Sequence, residues 1–371
     1  MRTHSLSAAF AAALLVCTAT FAASAATPPK PRPLFIVIPK DVPWHHSLPN
    51  HRPGAQLTQW NGSFVDHTGM TVNYTMVGTD PNSTNVTTKT PVVLVPVIMV
   101  YGAANGNMTF DPTTTKVTRR RTVVKNTLVS PLFKKAIDYV QGGTDLGTTQ
   151  YIDAYQRGNF WSVVSKNTGY HTLLGAPLVE PAVTYNVPPG LGSVEANPFG
   201  SGNVGTMEVD VFDQQVQTWL SQISDINPGV LPIFLTYNIY LTEPGGQLLY
   251  IGGYHSALSS QPGGQTYAYA TYVDSPGAFA QDVSALSHEI GEWEDDPFTD
   301  NDVNCADNTL MENGDPLENN ANYGAFPYTF KGFTYNLQSL VFIGYFGADP
   351  STSVNSWLSF QNDEQNVCPG Q

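Results

Sequence analysis

Apolar and polar positions change their rhythm several times along this chain. Residues 91–101 form a continuous apolar run, which predicts a buried strand. Val209, Phe212, Val216, Leu220 and Ile223 recur at three- and four-residue steps, the signature of one helix face. Residues 231–241, 248–254 and 266–273 read as strands, the last alternating Tyr267, Tyr269 and Thr271 on one face. Residues 281–294 predict a helix, ended by Asp296-Pro297. Upstream, Ser130-Pro131 predicts a helix running through Val140, with Ser as N-cap and Pro in the first turn. A further helix is expected over 149–165, and a strand pair, or a strand and short helix, over 333–345. Residues 27–53 are Pro-rich and read as extended or loosely attached. Residues 79–90 read as a linker and 300–322 as a long Asx-rich loop. The expected fold is α+β, with a twisted, mostly antiparallel or mixed sheet and packed helices.

The first residues change the picture of where the chain works. Arg2 and His4 precede an Ala- and Leu-rich run over 6–21, and Ala23-Ser24-Ala25 fits a small-residue cleavage site. Residues 1–25 are therefore expected to be a signal peptide, 26–90 a Pro/Thr/Asn-rich N-terminal segment, and 91–371 the folded domain. The protein is expected to be secreted, periplasmic or extracellular, with no membrane span. Cys305 and Cys368 remain in the mature chain and read as one disulfide, although two separate thiols fit the sequence as well. The net charge of −14 argues against nucleic-acid binding. Arg119-Arg120-Arg121 is the one basic run and reads as a solvated strand face. Five Asn-x-Ser/Thr sequons begin at Asn61, Asn73, Asn82, Asn85 and Asn107.

The candidate chemistry sits in the 281–294 helix. His288, Glu289 and Glu292 form a His-Glu-x-x-Glu run. Positions i and i+4 share a helix face, so His288 and Glu292 can hold one metal ion from the same side. Glu289 projects about 100° away, where a general base would reach a water activated by that ion. After Lys166 the only basic residue is Lys331, so Glu292, Glu294, Asp295 and Asp296 crowd a helix end without a neighbouring cation in the sequence. A third ligand must come from elsewhere. Glu312 is the first candidate, with Asp315 as substitute or supporting residue, and Gly314 between them permits a tight bend. His255 is a further ligand or an oxyanion donor. One His and two carboxylates form a hard ligand set. Zinc is the expected divalent metal, and Mn²⁺, Fe²⁺ and Ca²⁺ also suit it.

Residues 300–304 also have the D-x-D-x-N opening of an EF-hand. Cys305 stands where that loop needs Gly, and Met311 where it needs Glu, which leaves an irregular calcium loop over 300–308. No nucleophile elbow or phosphate-binding Gly loop is found. A carboxylate-pair glycosidase remains open on the residues alone.

From residue 231 onward the chain resembles the exordium/phosphate-induced secreted proteins and their bacterial relatives. Gly253-Tyr254-His255 is similar to that group's Gly-Phe-His segment and Tyr267-Ala268-Tyr269 to its Tyr-Ala-Trp strand. The run from Ser287 to Glu292 is similar to its Ala-His-Glu-Leu-Ala-Glu helix, Asp296-Pro297 to the Asn-Pro that follows, and Glu312-Asn313-Gly314-Asp315 to Glu-Ile-Ala-Asp. The resemblance implies an exported protein with a zincin-like helix. By analogy with zincin-like enzymes, residues 267–273 would be an edge strand that binds extended substrate by strand addition. Two functions fit. One is an exported metal-dependent, peptidase-like hydrolase acting on extracellular peptide or protein. The other is a non-enzymatic extracellular or cell-wall-associated module with a structural metal or none.

Overall fold

The long apolar runs become the centre of one mixed sheet. The computed structural model describes residues 30–45, 56–244, 248–259, 264–306 and 309–370. The signal-peptide residues lie outside these. Residues 31–371 cluster as one compact unit. Its main sheet runs in the order Leu178–Val179, Val92–Tyr101, Leu231–Tyr237, Thr266–Tyr272, Leu249–Ala257, Ile239–Thr242, Asn203–Glu208 and Val194–Ala196. Parallel and antiparallel pairs are mixed. Among the described residues no helix is long and apolar enough to cross a membrane.

Side-chain alternation divides the core between the two faces of this sheet. Tyr254, Tyr267 and Tyr269 pack with Phe212, Val216 and Trp219 of the amphipathic helix Val209–Gln222. Ala268, Ala270 and Tyr272 point the other way, into a core with Leu286, Ile290 and Trp293 of the helix Ser284–Asp295. That second helix is buried on every side, so its acidic residues do not form a solvated surface face. Trp293 Nε1 donates to Thr266 Oγ1 at 2.9 Å, and Gln338 N donates to Ser287 Oγ at 2.8 Å. These two bonds pin the helix to the sheet on one side and to the hairpin strand Phe333–Gln338 on the other.

Several expectations change. The strand at 266–273 is no edge: it pairs with Leu231–Tyr237 on one side and Leu249–Ala257 on the other, and all its residues are buried. Strand addition there is closed off. The run 231–241 splits because Asn238 adopts φ 51°, so its two halves pair with different neighbours. The helix expected over 130–140 is absent. Thr122 caps a helix at Val123–Leu128 instead, and Ile137–Gln141 is a strand whose Tyr139 and Gln141 turn inward. Arg119 and Arg120 lie in a bend, not a strand, with Thr118 Oγ1 accepting from the backbone N–H groups of Arg120 and Arg121. Within the segment read as loosely attached, Arg32–Ile38 is a strand in parallel register with Leu249–Ala257. Within the expected linker, Thr87–Thr90 pairs with His171–Leu174. The sulfurs of Cys305 and Cys368 are at disulfide distance, tying the tail to the loop after the Ser284–Asp295 helix.

Candidate metal centre

Three segments deliver the site. The helix Ser284–Asp295 contributes His288, Glu289 and Glu292, the strand Leu249–Ala257 contributes His255, and residues 312–315 contribute Glu312 and Asp315. His255 shares the sheet face of Gly253, one alternation step away. A Cβ on Gly253 would come within 2.5 Å of Glu289 Oε1, so the missing side chain is what lets the helix carboxylate settle on the sheet. The returning loop is fixed by Asn313. Its Nδ2 donates to Gly291 O at 3.0 Å and to Asp295 Oδ2 at 3.1 Å. Glu292 Oε1 accepts from the backbone N–H of Gly314 at 3.1 Å and of Asp315 at 3.3 Å. Gly314 has an ordinary right-handed conformation, so a bend is not its purpose. A Cβ there would stand 2.4 Å from His288 Nδ1, and the absence of one makes room for the imidazole.

The donors fall into two sets that meet at Glu292. His288 Nε2 lies 2.8 Å from Glu292 Oε1 and 3.4 Å from Asp315 Oδ1. His255 Nδ1 lies 3.7 Å from Glu289 Oε2, 3.7 Å from Glu292 Oε2 and 3.8 Å from Glu312 Oε2. His288–Glu292–Asp315 and His255–Glu289–Glu292 each have ligand atoms within 4.8 Å of one another. The sequence favoured Glu312 as third ligand beside His288. The nearer partner of His288 is Asp315, and Glu312 faces His255.

These groups are sealed from water yet poorly satisfied. His255, His288 and Glu289 are 0 % exposed and Glu312 is 1 % exposed, while the Asp315 side chain keeps 29 %. His255 Nδ1, both oxygens of Glu289, both of Glu312 and Glu292 Oε2 have no hydrogen-bond partner. Buried polar atoms in such numbers are rare, because each costs about 1–3 kcal/mol. Burial pushes the Glu289 carboxyl up to about 8, against the downward pull of His255, and lifts Glu312 well above the usual range. Burial disfavours a charged His255, but Glu312, Glu289 and Glu292 outweigh it and hold the imidazole well above its ordinary value. Burial would raise Glu292 too, yet His288 and His255 hold it below the carboxylate range. Each group's charge thus depends on its neighbours. The donor set fits a divalent metal: imidazole and carboxylate ligands, buried, with His255 Nε2 set 3.1 Å from Asp296 O so that Nδ1 is left as the free lone pair.

Other residues resolve differently. Asp295 accepts from Tyr155 Oη, Gln156 Nε2 and Asn313 Nδ2, and Asp296 accepts from the backbone N–H of Asp300 and Asn301. The carboxylates crowded at the helix end are therefore partly relieved by hydrogen bonds. On the opposite sheet face, Asp213 accepts from Trp44, Gln217, Tyr254 and Tyr267 and contacts His45 Nε2 at 3.1 Å. That cluster is satisfied and reads as structural. In the proposed calcium loop, Asp300 pairs with Lys40 at 3.0 Å and Asn301 bonds to Thr75, while residues 307 and 308 lie outside the described set. Sequence reasoning missed Phe35, whose ring stacks on His288 at 4.0 Å. A cavity of about 630 Å³ lined by Asn105, Glu195, Thr206 and Glu208 involves none of the metal-centre residues.

Searches against family models, curated proteins and solved structures return no match to this chain.

Proposed function

We propose that this protein is an exported metal-dependent hydrolase of peptidase-like character. The observation that carries the reading is the convergence of His288, Glu292 and Asp315, with Glu289 beside them and both of its carboxylate oxygens buried without a hydrogen-bond partner. Zinc is the proposed ion, and it would supply Lewis-acid activation of water. His288, Glu292 and Asp315 hold it. Glu289 is the base. Its carboxylate faces the same buried space, where it would take a proton from that water. Gly314 N–H and Asp315 N–H fix the Glu292 carboxylate, and the stacked Phe35 ring fixes His288. Asp315, the most exposed of the set, marks the side from which substrate approaches. The signal-like N-terminus and the exordium-like motifs support the exported part of the proposal.

A second reading has its own support. Structural metal sites are closed, catalytic ones keep an open position, and almost all of this cluster is sealed. On that reading the chain is a binding or cell-wall-associated module with a structural metal. Glu289→Gln separates the two. In an enzyme it keeps metal content and abolishes chelator-sensitive turnover of a denatured-protein substrate. A wild type that binds metal and shows no such turnover, with thermal stability unchanged in Glu289→Gln, supports the module and overturns the hydrolase.

A further inference from the structure

We propose that the cluster holds two divalent cations rather than one, bridged by Glu292, with His288 and Asp315 on one of its oxygens and, on the other, His255 with Glu289 and Glu312 facing it. This rests on the metal-binding part of the reading above and not on hydrolysis. The two oxygens of Glu292 face different partners: Oε1 faces His288, and Oε2 faces His255. Contacts to His255 come from Glu289, Glu292 and Glu312, whereas His288 contacts Glu292 and Asp315.

The His255 side has the marks of a ligand site in its own right. The Asp296 carbonyl can only accept, so Nε2 of His255 carries a proton, and in the neutral ring Nδ1 presents a lone pair. That lone pair is fully buried, lacks a hydrogen-bond partner, and faces carboxylate oxygens at 3.7–3.8 Å. The separation is too long for a hydrogen bond. It suits ligands around a shared ion, which lie about 3–4 Å apart at metal–ligand distances of about 2.0–2.4 Å. Glu289 faces the same space and keeps its role as base.

Charge also favours bound cations. Glu289, Glu292, Glu312 and Asp315 are four carboxylates, and among the described residues no Lys or Arg forms an ion pair with Glu289, Glu292 or Glu312. Carboxylates buried without a cationic side chain are costly when charged, and bound cations would relieve that cost. A bridging carboxylate with flanking His and carboxylate ligands is how paired ions about 3.5–4 Å apart are held.

Mn²⁺ is the probe. Full-length mature protein is dialysed against Mn²⁺, bound metal is counted by atomic spectroscopy, and the low-temperature EPR spectrum is recorded. The expected result is two ions per chain with an exchange-coupled spectrum. His255→Ala and the isosteric Glu312→Gln should each retain one ion and show the six-line signal of isolated Mn²⁺, with circular dichroism reporting an intact fold. One ion in the wild type, lost in His288→Ala and kept in His255→Ala and Glu312→Gln, overturns the second ion and leaves the single-metal reading standing. No ion in the wild type overturns both.

Discussion

Gly314 shows how much of this centre depends on one missing methyl group. The His288 ring is held against Phe35 on one side and has Gly314 on the other, so it has little room to retreat. Gly314→Ala should therefore displace the imidazole and weaken metal binding roughly 10–100-fold, the range seen when ligand support is disturbed. Competition with a chromogenic chelator measures this, and unchanged affinity would contradict the packing. Asp213 is the contrasting case, a buried carboxylate whose partners are all protein. Asp213→Ala strands several buried donors and should cost about 3–5 kcal/mol in urea unfolding while leaving metal stoichiometry intact. The sequence singled out His255, His288, Glu289, Glu292, Glu312 and Asp315, and the fold brings them together, because chemistry limits which side chains can bind metal. Their grouping was not. The choice between Glu312 and Asp315 as partner of His288 depends on how Asn313 folds the loop back, and that bond is set by tertiary contact. Phe35 was illegible for the same reason, since nothing in a Pro-rich stretch announces which ring will meet a histidine far along the chain.

At the scale of elements, the helix Ser284–Asp295 was readable from its pattern and its Asp-Pro stop, but not its environment. An acidic helix reads as a surface helix by default. Here Ala268, Ala270 and Gly253 leave the sheet surface shallow enough for the helix to sink onto it, and hydrogen bonds then satisfy Asp295 and Asp296. Strand position was also hidden. Thr266–Tyr272 is interior because Leu231–Tyr237 and Leu249–Ala257 flank it, and nothing within the strand itself says which partners it will have. The disulfide gives a prediction at this scale. It closes a separation of 63 residues, and near it Ala306 N bonds to Pro369 O and Cys368 N to Tyr345 O. Cys368→Ser should lower stability by about 2–5 kcal/mol in equilibrium unfolding and leave metal content unchanged. A loss of metal would mean that the tail, and not only the 312–315 loop, holds the centre in place.

For the whole molecule, buried acids make stability depend on pH in an unusual direction. Asp282 is the clearest case away from the metal centre. Its carboxylate accepts from Val283 N and from the backbone and side chain of Asn336, yet burial pushes its pKa from 3.8 to about 7. The folded state therefore binds a proton that the unfolded state has released, and stability falls as pH rises between those two values. The contribution is on the order of 4 kcal/mol across that window. The stability advantage of wild type over Asp282→Asn should shrink as pH goes from 4 to 7, and a constant difference would contradict it. His255, the Ser284–Asp295 helix and residues 312–315 come from remote parts of the chain and meet in one cluster. Glu292 lies in both donor sets, so metal analysis of wild type beside Glu292→Ala tests the metal reading most directly. The expected result is stoichiometric divalent metal in the wild type and almost none in a folded Glu292→Ala. Equal metal in the two proteins, or none in the wild type after dialysis against zinc, would contradict it.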